Sequence, residues 1–437
     1  MKPNVIIVVC DTLRKNLLGA KTPAIDALSR DSMVYDNCIA PATWTFPSHA
    51  SLFTGMYASE HGIHETKEIK LDELSDYNSK LDVERLAEYM QKRGYYTLGI
   101  SNNFMCSRFT GFDYGFDYFF NIESSPWGRS KTATEARLLG ANSLQVAVEL
   151  IKRGRGNELL KFAKEYFKVR STNMIVDYPR NKGADLTNEI LRNMALRDNF
   201  FLFINYWELH DPYRGQNATV MLKEFTGIKK ISERTVRYLK QEYVRETEYL
   251  DKRIGEFLLM LKKRGLYDSS MIILMSDHGQ AFNEHGFVYH GIQLYDEIVR
   301  VPLVIKYPGG KKFRKREGYQ SLVTIPALIK DIIKGKDDRK LTVDKVFTEA
   351  YGNIDRLPKS YDFRMDYVNE HYEKSRAAIY KDGYKLSVNG SDGVVEEFLK
   401  GDREVSIEKN RKVFDMLADE LRYFKRKEKF IVPDDGE

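Results

Sequence analysis

Apolar residues arrive along this chain in short unbroken runs, separated by longer stretches of helical period. The first run, Asn4-Val5-Ile6-Ile7-Val8-Val9, is β-branched and continuous, which predicts a strand buried on both faces. Similar runs follow from Thr97 to Ile100, Phe200 to Ile204, Met271 to Met275 and Val301 to Ile305. Between them, the stretches from Val83 to Arg93 and from Val236 to Arg264 read as helices. Strands alternating with helices predict an α/β fold on a parallel or mixed sheet. Residues from about 121 to 181 read as a helical insertion, because Leu159, Leu160, Ala163, Tyr166 and Phe167 recur at helical spacing among lysines. An ordinary surface helix is the expectation there, ahead of a lid or a membrane-surface contact. After about residue 341 the pattern turns to shorter β-like segments, Ser375 to Tyr380 and Tyr384 to Val388, then a charged helix around Ile407 to Lys427. Two units are therefore expected, residues 1–340 and a small α+β unit over 341–437.

The strong runs end in polar residues: Asp11, Asn102-Asn103, His210 a little further on, and Asp277-His278. Open α/β sheets place their sites beyond the carboxyl ends of the strands, so these clusters predict one shared site. Seven of the eight histidines fall in three short segments, 43–64, 207–213 and 276–291, unlike a scatter of surface residues. A strand that ends in Asp277-His278-Gly279 delivers a carboxylate and an imidazole into one loop, where both can face a cation. Asp11 can add a hard oxygen, although a lone Asp there equally caps a turn. After Thr45, Pro47 and Gly55 punctuate a short helix, with Thr45 at or near its N-cap. Backbone N–H groups and the helix dipole favour an anion at that end, and a hydroxyl beside a metal can attack a bound ester. The plain alternative is that Thr45 only caps the helix.

Composition narrows the classes. Of 437 residues, 42% are hydrophobic and 30% charged, which suits a globular core without low-complexity disorder. The net charge of +6 suits a small anionic substrate and implies no nucleic-acid polymer. Three cysteines, Cys10, Cys38 and Cys106, lack CxxC spacing and argue against a disulfide framework or a cysteine-held zinc. No apolar stretch reaches the roughly 18 residues of a membrane span. A cytoplasmic location is expected, with the Asn217-Ala218-Thr219 sequon accidental. Oligomeric state is left open.

Taken in order, several segments resemble the sulfatase family within the alkaline-phosphatase superfamily. They are Val8 to Arg14, Pro41 to Gly55, His61-Gly62, His210-Asp211-Pro212-Tyr213, Ser276-Asp277-His278-Gly279 and Glu284-His285-Gly286, running on to Val301-Pro302-Leu303. The resemblance implies a large mixed, mostly parallel sheet sandwiched by helices, with a small C-terminal α+β subdomain. It also implies a divalent metal held by Asp11, Thr45, Asp277 and His278, with Ca, Mg, Mn and Zn not distinguished. His210 and His290 would bind the transferring group or protonate the leaving oxygen. His49, Asn103 and His285 are further candidates for substrate contact.

One departure decides the chemistry. Sulfatases oxidise a Cys or Ser to formylglycine within C/S-x-P-S-R, where this chain has Thr45-Phe46-Pro47-Ser48-His49. Oxidising a threonine gives a ketone, so formylglycine is not expected, and Cys38 lacks the Arg four positions on. A similar Thr-Phe-Pro-Asn-His segment occurs in the nucleotide pyrophosphatase/phosphodiesterases, and some phosphotransferases also use Thr. Two-metal members carry an additional Asp-x-x-x-His cluster that is not found around His210, so one ion is expected. The reading is a hydrolase of phosphate (di)esters, or related anionic esters, through Thr45 and a covalent intermediate. The alternatives are a sulfuric ester hydrolase without formylglycine, a phosphotransferase, or a non-catalytic anion binder.

Overall fold

The computed structural model describes residues 2–19, 21–64, 81–122, 175–176, 180–196, 199–214, 216–217, 231–309, 314–336, 342–352, 374–390 and 393–425. Most of the expected 121–181 insertion lies outside the described residues, as do Ala218 and Thr219 of the sequon. The main sheet has eight strands: β1 (Asn4–Cys10), β2 (Met33–Ile39), β3 (Tyr96–Ser101), β4 (Tyr118–Asn121), β6 (Phe200–Tyr206), β8 (Ser270–Met275), β11 (Arg300–Lys306) and β12 (Arg314–Ser321). Two-residue strands β5 (Ile175–Val176) and β7 (Gln216–Asn217) pair with each other, as do β9 (Ala281–Phe282) and β10 (Val288–Tyr289). The sheet order is β12-β2-β11-β8-β1-β6-β3-β4. β1 runs parallel to both β6 and β8, and β3 parallel to β6 and β4, while β11 runs antiparallel to β2 and β8.

β1 is buried along its whole length, as its unbroken apolar run requires. Its side chains alternate between two cores: Val5, Ile7 and Val9 on one face, Ile6, Val8 and Cys10 on the other. The helix Thr45–Thr54 covers the first face through Phe46, Ala50, Leu52 and Phe53. The long helix Glu233–Lys263 covers the second through Leu239, Tyr243, Leu250, Ile254 and Phe257. The helix expected from Val236 to Arg264 thus starts three residues earlier, at an N-cap where Ser232 Oγ accepts from Thr235 N–H.

Beyond the main sheet, β13 (Lys345–Ala350), β14 (Arg376–Lys381), β15 (Tyr384–Asn389), β16 (Val395–Lys400) and β17 (Arg403–Glu404) form an antiparallel sheet in chain order. The helix Arg411–Lys425 packs Phe414, Leu417, Ala418 and Leu421 onto its Ala377, Ile379, Leu386 and Val388. β13 reaches back to the main unit: Glu349 N–H donates to Pro41 O at 3.0 Å, four residues before Thr45. No helix among the described residues is long and apolar enough to cross a membrane.

Candidate active site

β1, β3, β6 and β8 are mutually parallel, so their carboxyl ends share one edge of the sheet. Asp11, Asn103, His210 and Asp277-His278 follow those four ends. Thr45 enters from the other side as the first residue of its helix, with Trp44 at the N-cap. Its hydroxyl is buried at the centre, 3.3 Å from Asp11 Oδ2, 3.1 Å from Asn103 Nδ2 and 3.5 Å from His278 Nε2. Asn103 Nδ2 also donates to Asp11 Oδ2 at 2.6 Å. His278 Nε2 lies 3.6 Å from Asp11 Oδ1 and 3.4 Å from Asp277 Oδ2.

Asp277 Oδ1 accepts the N–H of His278 at 3.0 Å and that of Thr12 at 3.3 Å, across the sheet edge. Thr12 adopts a left-handed φ of 63°, which turns the chain straight after Asp11. His278 Nδ1 donates to Gly279 O at 3.0 Å, because a carbonyl can only accept. Nε2 therefore carries the lone pair, the arrangement of a metal-binding imidazole. Gly279 itself is required, since a Cβ there would lie 2.2 Å from Glu297 O.

Asp11, Asp277 and His278 can each offer a ligand atom within 4.8 Å of the others. Asp11 Oδ1 and Asp277 Oδ2 are buried and lack a hydrogen-bond partner among the described residues. Burial first, then the charge on Asp277, push the Asp11 carboxyl well above the usual carboxylate range, against hydrogen bonds from Asn103 and Thr45. Two buried carboxylates with unpartnered oxygens, and with no Lys or Arg in their ion pairs among the described residues, fit a divalent cation.

His49 is fully buried behind Asp277: its Nδ1 donates to Thr45 O at 2.8 Å and lies 3.5 Å from Asp277 Oδ2. Burial pulls its imidazole below the ordinary value, which keeps the ring neutral. His210 and His290 sit nearer solvent, with side chains 19% and 10% exposed and rings 4.8 Å apart. His290 also faces the first group, with its ring 4.4 Å from that of His278. His285 stands apart from these contacts, pairing with Glu297 at 3.2 Å and stacking on Tyr295.

Three residues here were not singled out from sequence. Asp211 joins His210 and His290, and Gln280 bridges Asp211 to His290. Lys182 is buried beneath the turn, where its ammonium donates to the carbonyls of Glu208 and His210. Gln280 stands next to the Asp277-His278-Gly279 segment and Asp211 next to His210, so adjacency was the available signal. Cys10, Cys38 and Cys106 are buried free thiols, and burial pushes that of Cys38 up to about 12.

The family model for sulfatases matches residues 3–333. An arylsulfatase from Clostridium perfringens is 22% identical over 401 residues, covering 83% of this chain and 75% of that protein. An N-acetylglucosamine-6-O-sulfatase from Bacteroides thetaiotaomicron is 23% identical, covering 70% of this chain and 63% of its own length. Among solved structures, the phosphonate monoester hydrolase from Silicibacter pomeroyi superposes with a TM-score of 0.65 at 16% identity, over 97% of this chain and 95% of that one.

Proposed function

The chain belongs to the sulfatase family of metal-dependent ester hydrolases, and on that premise we propose that it cleaves phosphate esters, diesters foremost, with Thr45 as nucleophile. The observation that carries this reading is the Thr45 hydroxyl, held at a helix N-terminus within 3.5 Å of Asp11, Asn103 and His278. A threonine cannot supply the aldehyde hydrate that sulfatases use, so the unmodified hydroxyl attacks.

Asp11, Thr45, Asp277 and His278 would hold the divalent cation. When bound, the ion supplies Lewis acidity, lowering the pKa of the hydroxyl and balancing charge on the phosphoryl oxygens. Thr45 Oγ1 gives up its proton to solvent and bonds to phosphorus in line, and the bond from phosphorus to the leaving oxygen breaks with its electron pair going to that oxygen. Asn103 Nδ2 and the N-terminus of the helix Thr45–Thr54 stabilise the negative oxygens. His210 and His290, on the solvent side, serve the leaving oxygen. Water then cleaves the threonine phosphodiester, which retains the second ester group, restoring the hydroxyl and releasing a phosphate monoester. His49 contacts Thr45 and Asp277 and acts as their positioning residue.

Sulfate ester hydrolysis by the same residues is the second reading, and the sulfatases among the relatives favour it. Wild type and Thr45→Ala, each loaded with Mn, Zn, Mg or Ca, are compared on nitrophenyl phosphate diester, phosphate monoester and sulfate. Expected is diester turnover that vanishes in the variant, with a Thr45 peptide carrying the nitrophenyl phosphoryl group trapped by rapid acid quench. Sulfate turnover that persists in Thr45→Ala would remove Thr45 from the chemistry.

A further inference from the structure

Behind the His210 turn lies a buried ammonium that the mechanism does not use. Lys182 is 1% exposed, and its Nζ donates to Glu208 O at 3.0 Å and to His210 O. The rings of Trp207 and Tyr213 close over it, with centroids 5.6 and 5.5 Å from Nζ. All of these partners belong to one turn after β6, residues 207–213, in which His210 N–H donates to Trp207 O at 3.2 Å. The chain reverses sharply just after Lys182. Gly183 has a φ of 129°, and a Cβ there would lie 2.7 Å from the Asn102 side chain.

Fastening these two segments does not require the ammonium. Glu208 Oε1 already accepts the N–H of Lys182 at 3.1 Å and that of Ala184 at 2.7 Å, which ties the turn to the start of the helix Ala184–Asn193. Burying a charge is costly, and an apolar side chain of similar volume usually serves a purely structural position as well. Among the described residues the ammonium bonds to carbonyls and not to a carboxylate, while the charges of Glu246 and Glu208 favour it from further away. What it adds is a grip on the backbone at residue 210. His210 Nδ1 donates to the Asp211 backbone carbonyl, so only Nε2 is left to face a leaving oxygen. The direction of Nε2 thus follows the backbone of the turn, and Lys182 holds that backbone at the preceding carbonyl.

We propose that Lys182 is the positioning residue of His210: its ammonium fixes the turn and so aims the imidazole at the leaving oxygen. Lys182 acts through His210 and meets no reacting atom itself. This inference rests on His210 serving the leaving oxygen, but not on whether the transferred group is phosphate or sulfate. A weakly basic leaving group departs with little help, whereas a basic one needs a proton donor as its bond breaks. A misaimed His210 therefore slows esters of the poorer leaving group selectively. A misplacement of about 1 Å can cost roughly 100-fold in rate.

The test compares wild type, Lys182→Met, Lys182→Arg, His210→Ala and the double variant Lys182→Met with His210→Ala, all as metal-loaded full chains. Each is assayed on paired phenyl and nitrophenyl esters, as phosphate diesters and as sulfates. Expected for Lys182→Met is a kcat lower by roughly 100-fold on the phenyl ester, little changed on the nitrophenyl ester, with KM unaltered on both. Lys182→Arg, which keeps the charge and the donors, recovers part of the loss. In the double variant, Lys182→Met adds nothing to the loss caused by His210→Ala. Equal losses on the two esters, or losses that add in the double variant, overturn the proposal and leave Lys182 a structural residue. If circular dichroism finds Lys182→Met unfolded, Lys182→Gln, a neutral donor of shorter reach, carries the same comparison. Turnover of sulfate esters alone by wild type would sink the phosphate reading while leaving the leaving-group comparison intact. Nitrogen-15 NMR of histidine-labelled protein reads His210 without turnover, its signals assigned by their loss in His210→Ala. One tautomer, protonated at Nδ1, is expected in wild type and an averaged pair in Lys182→Met, whereas the same single tautomer in both overturns the proposal.

Discussion

His49 shows how much a single side chain can do without meeting substrate. Its ring is fully buried, packed edge-on to Phe112 and Phe203, and its one N–H goes to the Thr45 carbonyl. It holds the backbone of Thr45 and packs 3.5 Å from Asp277 Oδ2. Removing such an outer contact commonly weakens metal affinity by roughly 10–100-fold. His49→Ala should therefore show that loss in a zinc titration, with kcat falling and KM little changed. A raised KM with metal affinity intact would instead make His49 a substrate contact. Asp11, Thr45, Asp277 and His278 could be read from the sequence because each sits at the end of an apolar run or the start of a punctuated helix. Asp211 and Gln280 could not: a lone Asp before Pro looks like a turn residue, and a Gln carries no charge to attract notice. The histidine clustering also overcounted the site. His61 bonds to Ser51 at 3.0 Å and His64 stacks on Tyr351 at 3.6 Å, both away from Thr45.

Elements set these positions through contacts that bridge them. Tyr243, on the helix Glu233–Lys263, inserts its hydroxyl into the turn after β1. There it donates to Thr12 O at 2.6 Å and accepts from Arg14 N–H at 2.8 Å. The left-handed turn at Thr12, which carries Asp11 into the site, is thus held by a helix on the opposite side of the sheet from Thr45. Tyr243→Phe leaves two buried backbone groups without that partner, at about 1–3 kcal/mol in the usual range for such groups. Chemical denaturation should show that loss together with weaker metal binding, whereas an unchanged midpoint would mean the turn holds itself. The sequence displayed β1, β3, β6, β8 and β11 because they are continuous apolar runs. It hid β2, whose Met33-Val34-Tyr35-Asp36-Asn37-Cys38-Ile39 mixes polarities, and β12, an edge strand that opens Arg-Lys-Arg-Glu. Charge on an edge strand protects it from pairing with other chains and erases the apolar signal in the same stroke.

At the scale of the whole molecule, the two sheets are joined by charge as well as by backbone. Asp296, at the start of the short helix Asp296–Val299 leading into β11, accepts from the Tyr380 hydroxyl at 2.7 Å. It also pairs with Arg300 at 2.7 Å and with Lys385 of the C-terminal sheet at 3.2 Å. Burial pushes its carboxyl up, but Lys385 first, then Arg300 and Tyr380, outweigh that and hold it at about 2 against an ordinary 3.8. A carboxyl whose folded pKa is depressed stabilises the fold at every pH above its unfolded value. That contribution fades as pH falls from about 4 through 2, because protonation is then easier in the unfolded chain. At 1.36 kcal/mol per unit the shift corresponds to about 2 kcal/mol. Asp296→Asn should therefore be less stable than wild type at pH 7 by roughly that amount, and the gap should narrow progressively toward pH 2.5. Urea midpoints of both proteins across that range read the gap directly. A gap that stays constant would mean that Asp296 joins the two sheets by shape and hydrogen bonding alone, with its charge irrelevant.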